Sequence, residues 1–184
     1  MLHQKVLAIR RRVLGDDPPN TLVSLVNLGL FTEKREKLPE SEALCREAVT
    51  RCRRVHGDQY TVTLSAIHCF ARTLQKQGRL VEAEVSRRES FAGFRLVLGD
   101  NHANTKITRG SLVKLLGEKG GVALADVRLS DAETAFLEAH ELAVVLGRET
   151  AAQIAGKLVI VYEQWQEREP DKGHAARAES WRTK

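Results

Sequence analysis

The stretch RRVLGDDPPNTL, residues 11–22, recurs in altered form as RRVHGDQYTVTL at 53–64 and as RLVLGDNHANTK at 95–106. Each copy contains one glycine, and the three glycines lie 42 residues apart: Gly15, Gly57 and Gly99. Self-similarity at a fixed period of this length is typical of stacked structural units, each of which buries its apolar face against its neighbours. The stretch therefore predicts a repeat protein.

Each unit is expected to contain two amphipathic helices. The best-preserved copy is residues 61–100, and Gly78 divides it into two segments. Apolar residues recur at helical spacing in both segments: Leu64, Ile67, Phe70, Ala71 and Leu74 in the first, and Leu80, Ala83, Phe91, Phe94 and Leu98 in the second. This spacing predicts a helix, a tight turn at Gly78 and a second helix that ends at Gly99.

The loop between units carries polar residues that have a structural explanation. Asn20 and Asn104 are expected to be helix N-caps, and three threonines are alternative caps: Thr21, Thr63 and Thr105. A catalytic role for the loop acids and histidines is disfavoured, because no convergent site is visible. These residues are Asp16, Asp17, His56, Asp58 and His102.

Composition narrows the class of protein. The chain is 42% hydrophobic, 5% aromatic and 29% charged with four prolines, which favours a helix-rich globular protein. The formal charge of +5 and the pI near 9.3 raise the hypothesis of nucleic-acid binding. Arginines on solvent-facing helices explain this charge better, and no aromatic stacking platform accompanies them. We therefore disfavour nucleic acid as a partner.

The cysteines and the N-terminus indicate a reducing compartment. Cys45, Cys52 and Cys69 form no CxxC pair, so we expect buried, unpaired thiols and no zinc site. No apolar signal core and no membrane-spanning stretch is present, which predicts a cytoplasmic protein. The six histidines lack metal-ligand spacing. We expect no metal, no cofactor and no enzymatic activity.

Two motifs carry a family resemblance. TLVSLVNLG at 21–29 is followed in register by LPESEALCREA at 38–48. Together with the loop sequence, they resemble the 42-residue tetratricopeptide repeat (TPR) of kinesin light chains and of many bacterial signalling proteins. KLVIVYEQW at 157–165 and ARAESWR at 176–182 resemble the closing repeat of bacterial TPR arrays that are often fused to serine/threonine kinases.

The resemblance implies an all-α fold: a right-handed superhelix (α-solenoid) of antiparallel helix-turn-helix units with about nine helices. A single array would cover residues 1–184. Its expected parts are an orphan second helix at 2–15, repeats at 20–57 and 61–99, a degenerate repeat at 103–147 with an insertion near 120–128, and a closing repeat at 149–183.

Several positions depart from the repeat pattern. Glu36 stands where the turn glycine is usual. Lys106 and Arg109 replace Leu64 and Ile67 of the preceding unit, which predicts weaker packing of the third repeat. Seven residues are inserted before its second helix, and we expect them to form a flexible bulge. The Gly120-Gly121 pair there is not followed by the lysine of a phosphate-binding loop.

In TPR proteins the first helix of each pair lines a concave groove. Residues on the free face of that helix recur at i, i+3 and i+7. The predicted peptide-binding residues change from apolar to basic along the chain: Val23, Val26, Leu30, Lys34, Ser65, His68, Arg72, Gln75, Lys76, Ile107 and Lys114.

The predicted function is that of a non-enzymatic scaffold that binds a protein or peptide. The basic residues suggest an acidic peptide with an apolar anchor, since converging cations attract carboxylates. The alternative is a regulatory or sensor module of a larger bacterial signalling protein, such as a serine/threonine kinase, of which this chain is a fragment. The unpaired N-terminal helix could also mediate self-association. At the other end, Trp181 is expected to pack near Tyr162 and Trp165.

Overall fold

The computed structural model describes residues 2–184, and this part of the chain contains nine α-helices, one short 3-10 helix and no strand. The prediction of an all-α protein with about nine helices is confirmed. The helices are α1 (Leu2–Leu14), α2 (Pro19–Lys34), α3 (Leu38–His56), α4 (Thr61–Lys76), α5 (Leu80–Leu98), α6 (Ala103–Ala125), α7 (Leu129–Val144), α8 (Arg148–Arg168) and α9 (His174–Arg182), with the 3-10 helix at Pro170–Lys172.

The chain forms two compact units, one up to Thr108 and the other from Arg109 onward. The division falls inside α6, in the turns where Lys106 and Arg109 replace Leu64 and Ile67. Lys106 is exposed, whereas the side chain of Arg109 is buried. Charged residues at these positions replace apolar ones that form the core of the preceding repeat.

The repeated loop sequence adopts the same conformation at the C-terminal ends of α1, α3 and α5. In each copy the glycine N–H donates to the carbonyl of an arginine four residues earlier, at 3.0 Å. The same arginine pairs through its side chain with the aspartate that follows the glycine. The pairs are Arg11–Asp16 at 3.0 Å, Arg53–Asp58 at 2.8 Å and Arg95–Asp100 at 3.3 Å. The three glycines have φ between 78° and 89°, a range that other residues rarely adopt, which explains why the glycine recurs.

The predicted asparagine caps are wrong. Asn20 lies inside the first turn of α2, because Pro19 is tolerated at the first helical position and the helix begins there. Asn104 lies inside α6, and its own N–H donates to Nδ1 of His102 at 3.1 Å. The hydroxyl of Thr63 donates to the carbonyl of Gly57 at 2.8 Å, so it ties the start of α4 to the preceding loop.

In the first unit the core lies between α2, α3 and α4. The apolar face predicted for α4 is buried at Leu64, Ile67 and Leu74. All three cysteines are buried, but the prediction that none is paired is wrong: Cys45 of α3 and Cys69 of α4 form a disulfide, and only Cys52 is free. The bond joins the second helix of one repeat to the first helix of the next.

The predicted bulge near 120–128 is also wrong. Helix α6 has 23 residues and the equivalent α2 and α4 have 16 each, so the seven inserted residues lengthen α6. Seven residues are close to two helical turns, and the extension therefore keeps the same face toward the core. Gly120 is required on that face, because a Cβ atom there would come within 2.8 Å of the Phe136 ring.

The core of the second unit is built by α6, α7, α8 and α9. Ala123, Phe136, Leu158 and Tyr162 form part of its buried cluster, and Trp165 and Trp181 pack against it. The predicted neighbourhood of Trp181 is therefore observed. No helix between residues 2 and 184 has the length and hydropathy that a membrane crossing requires.

Two hairpin turns place a residue other than glycine at positive φ: Glu36 at 56° and Val127 at 59°. The position of Glu36 is one where the sequence pattern leads us to expect glycine. For a β-branched residue such as Val127 this conformation is strained. The N–H groups of Val127 and Arg128 donate to the carbonyls of Leu124 and Ala123, so the turn itself is well formed.

Replacing Val127 with glycine should stabilise the protein. The left-handed conformation costs about 1–2 kcal/mol for a residue with a Cβ atom, and the greater freedom of glycine in the unfolded chain offsets part of this gain. We expect a rise of a few degrees in the midpoint of thermal unfolding, measured by circular dichroism. As a control, Val122→Gly in the last turn of α6 should lower the midpoint. A lower midpoint in Val127→Gly would contradict the assignment of strain.

Candidate functional site

A cavity of about 260 Å³ lies in the first unit, bounded by one face of α2, one face of α4, the start of α6 and one side chain of α5. Its lining residues are Val23, Val26, Asn27 and Leu30 of α2, Val62, Ser65 and His68 of α4, Phe94 of α5, and Asn104, Ile107 and Thr108 of α6. For comparison, a cavity of about 150 Å³ is large enough to bind benzene. This cavity can therefore hold a single large apolar side chain.

The cavity has an apolar interior and an exposed rim. Phe94 is 2% exposed and Val26 is 5% exposed, whereas Ile107 is 57% exposed. Asn27 is exposed as well, and Asn104 is half-buried. A ligand side chain that entered would therefore leave water for an apolar surface, while its backbone would meet amide groups.

The structure brings together six of the predicted groove residues on this cavity: Val23, Val26, Leu30, Ser65, His68 and Ile107. The five others are placed differently. Arg72, Gln75 and Lys76 make polar contacts inside the first unit. Lys34 is exposed at the end of α2, and Lys114 is exposed on α6 in the second unit. No ligand contact tests these assignments, and they stay predictions.

Two of the four cations predicted to attract an acidic ligand, Arg72 and Lys76, already have carboxylate partners. Arg72 Nη2 lies 2.8 Å from Oε2 of Glu33, and Lys76 Nζ lies 3.0 Å from Oε1 of the same residue. Lys76 also pairs with Glu36 at 2.6 Å. The hydrogen bonds to Glu36 and then to Glu33 raise the pKa of Lys76. The charges of Arg72 and Lys76 are therefore largely neutralised within the chain, whereas Lys34 and Lys114 are exposed.

His68 is held as a neutral imidazole. Burial, followed by the charges of Arg87 and Arg72, lowers the pKa of His68 to about 3. Nη1 of Arg87 lies 3.3 Å from Nδ1 of His68, and arginine can only donate. Nδ1 is therefore the acceptor, which places the imidazole proton on Nε2. Arg87 also donates through Nη2 to Oε1 of Gln75 at 2.9 Å. Burial lowers the pKa of Arg87 to about 10.

Sequence periodicity missed five lining residues: Asn27, Val62, Phe94, Asn104 and Thr108. Asn27 lies one turn after Val23, so a wider helical face would have included it. Asn104 and Thr108 flank Ile107, but Asn104 was expected to be a cap. No sequence pattern indicated that Phe94 would line the cavity. Its spacing places it on the apolar face of a second helix, α5, and its side chain reaches the cavity from there.

The arginine side chains of the second helix α3 form ion pairs with acidic residues of the same chain. Arg51 Nε lies 2.7 Å from Glu47, and Arg54 Nη2 lies 2.8 Å from Asp17. Arg53 pairs with Asp58 and Glu89. Within residues 2–184, no group of three or more His, Cys, Asp or Glu side chains is placed to hold a metal ion.

The family comparisons agree with the fold. Residues 22–84 match one tetratricopeptide-repeat model, and residues 1–20 match a second. These matches confirm the prediction of tetratricopeptide repeats over residues 1–20 and 22–84. The repeats indicate a protein–protein interaction scaffold. No curated protein sequence matches the chain.

Among solved structures, similar folds occur in a kinesin-light-chain-type protein of Podosopora anserina with nearly identical TPR-like repeats and in a single-substitution variant of that protein. The first has a TM-score of 0.66 and the second 0.65, both at 16% identity, and each alignment covers 98% of this chain and 83% of the other. BtubC (BKLC) from P. vanneervenii has a TM-score of 0.64 at 13% identity, and the alignment covers 99% of this chain and 71% of the other. At these identities the likeness concerns the fold.

The neutral state of His68 makes stability depend on pH. The unfolded chain takes up a proton at His68 near pH 6.5, whereas the folded chain does so only near pH 3. The free energy of unfolding should therefore be fully maintained above pH 6.5 and should fall with decreasing pH, by up to about 1.4 kcal/mol per pH unit from this group. Urea unfolding at pH 7.0, 6.0 and 5.0 measures the slope. His68→Gln, which keeps an acceptor for Arg87, should show a smaller slope, and equal slopes would contradict the account.

Proposed function

We propose that the protein is a non-enzymatic scaffold that binds a partner peptide, or an extended segment of a partner domain, along the first helices of the repeats in its first unit. An apolar side chain of the partner occupies the cavity between α2, α4 and α6. The observation that carries this proposal is the 260 Å³ cavity itself, with Phe94 and Val26 buried inside and Ile107 exposed at its rim.

Apolar burial supplies the affinity at this position. Transfer of a leucine or phenylalanine side chain from water into such a site is worth about 1.5–3 kcal/mol, or roughly 10- to 150-fold in dissociation constant. The walls are held by helix packing, because Phe94 and Val26 are also part of the core. Little ordering of the protein is required on binding, which favours the bound state.

Polar groups at the cavity suit a peptide backbone. An extended peptide presents N–H and C=O groups that must keep hydrogen bonds when they leave water. The amides of Asn27 and Asn104 can donate and accept, and the neutral imidazole of His68 adds a donor at Nε2. These groups would set the direction of the peptide, while the cavity selects one side chain.

The acidic component of the predicted ligand has less support than the apolar anchor. Arg72 and Lys76 are engaged by Glu33, and Lys114 lies in the second unit. We therefore propose that the anchor supplies most of the binding energy. The role of regulatory module in a larger signalling protein stays a prediction, as does self-association through α1.

The test uses fluorescein-labelled peptides of twelve residues with glycine–serine flanks and Leu, Phe, Trp or Ser at the centre. We expect the apolar-centred peptides to bind at least fivefold more tightly than the serine-centred peptide in fluorescence anisotropy. Ile107→Asp should abolish this difference, because it places a charge at the rim of the cavity.

The matched control is Val122→Asp, which places the same charge on an exposed part of the same helix, outside the cavity lining. It should bind all peptides as the wild type does. If Ile107→Asp retains the preference for apolar centres, or if the wild type shows none, the cavity is not the anchor site.

A further inference from the structure

Glu33 is the most unusual residue of the groove. Its side chain is 1% exposed, although it lies near the end of α2, where the negative end of the helix dipole disfavours an acid. Its charge therefore requires compensation from elsewhere. A buried carboxylate at this place serves no purpose in capping the helix.

The compensation comes from the next repeat. One carboxylate oxygen of Glu33 binds Arg72 at 2.8 Å, and the other binds Lys76 at 3.0 Å. Lys76 also lies 3.4 Å from the backbone carbonyl of Glu33. The two cations are more accessible than the acid that they bind, with side chains 33% and 37% exposed. Together they form a half-open cationic subsite whose carboxylate comes from the protein.

The subsite adjoins the cavity. Glu33 lies three residues after Leu30 on α2, and Arg72 lies four residues after His68 on α4. Leu30 and His68 both line the cavity. Positions three or four apart share one helix face, so the ion pair occupies the next turn of the same face. A peptide anchored in the cavity and extended toward the C-terminal ends of α2 and α4 would pass over it.

We propose that Glu33 is a specificity-determining residue: its carboxylate fills the cationic subsite of Arg72 and Lys76, so that the groove rejects peptides that carry an acidic residue beside the apolar anchor. The proposal rests on the proposed function of the groove. It replaces the expectation of an acidic ligand with that of a ligand that is uncharged at this position.

The physical reason is competition for the same donors. A ligand carboxylate can reach Arg72 only by displacing Glu33 or by lying beside it. Displacement would deprive the buried carboxylate of Glu33 of one of its two cationic partners, and proximity would place two like charges together. Either outcome disfavours the acidic ligand, and this repulsive element discriminates between peptides that share the same anchor. Removal of the Glu33 charge should reverse the preference.

The binding experiment compares two leucine-centred peptides that differ only in the two residues after the centre, Ser-Ser in one and Asp-Asp in the other. We expect wild type to bind the Ser-Ser peptide at least fivefold more tightly than the Asp-Asp peptide. Glu33→Gln should bind the Asp-Asp peptide at least fivefold more tightly than wild type does. Glu33→Asp, which keeps the charge, should retain the wild-type order.

Glu36→Gln is the matched control. It also removes a carboxylate from Lys76, but Glu36 is exposed and does not pair with Arg72. It should retain the wild-type order of the two peptides. An unchanged order in Glu33→Gln, or the same reversal in Glu36→Gln, would overturn the assignment to Glu33.

A second measurement tests Glu33 without any peptide. Sodium acetate is titrated into the ¹⁵N-labelled protein, and the NMR signal of the Arg72 Nε–H group is followed. This signal is assigned by its loss in the Arg72→Lys variant. A titration with sodium chloride controls for ionic strength. Acetate should shift this signal in Glu33→Gln and not in wild type. Equal responses would overturn the proposal.

The two measurements distinguish a failure of the proposed peptide-binding function from a failure of the role proposed for Glu33. If no peptide binds wild type but acetate shifts Arg72 only in Glu33→Gln, the proposed function fails and the occupied subsite stands. If peptides bind by their apolar centres but acetate shifts both proteins equally, the groove stands and the role of Glu33 fails. Circular dichroism of each variant confirms that the helices are retained.

Discussion

The way in which helices α1, α3 and α5 end is the constraint on which the rest of the structure depends. A glycine at positive φ closes the helix, and the arginine four residues before it pairs with the following aspartate. Because this geometry recurs every 42 residues, the first helices α2, α4 and α6 start from equivalent loops. In the first unit, α2 and α4 therefore lie side by side with the same face free, and the cavity forms on that face.

The helices could be predicted because their signals are local. Within one unit, glycines mark where a helix ends, and the spacing of apolar residues indicates which face of the helix is buried. Helix α4 shows this at Leu64, Ile67 and Leu74, which are all buried. The errors arose where a local signal had two interpretations. Seven extra residues with two glycines resembled a loop, yet they are close to two helical turns and extend α6. Asn20 resembled a cap, but Pro19 starts the helix before it.

The groove was only half predictable, because its properties depend on contacts between helices. Spacing along one helix located Val23, Val26 and Leu30 on the free face. It did not reveal that Phe94 arrives from α5, nor that Cys45 and Cys69 meet. The number of basic residues on α4 predicted an acidic ligand, and that prediction overlooked a contact between helices. Arg72 of α4 is paired with Glu33 of α2, which lies 39 residues earlier in the sequence. The ligand is therefore expected to be recognised first by its apolar side chain.

The most direct test of the cavity as the binding site is methyl NMR of the protein labelled at Ile, Leu and Val, titrated with N-acetyl-leucinamide as the probe. The account predicts that the largest shift changes occur at the methyl groups that line the cavity: Val23, Val26, Leu30, Val62 and Ile107. Largest changes at exposed apolar residues elsewhere, such as Leu2 and Ile9 of α1, would contradict it, as would the absence of any change at the cavity.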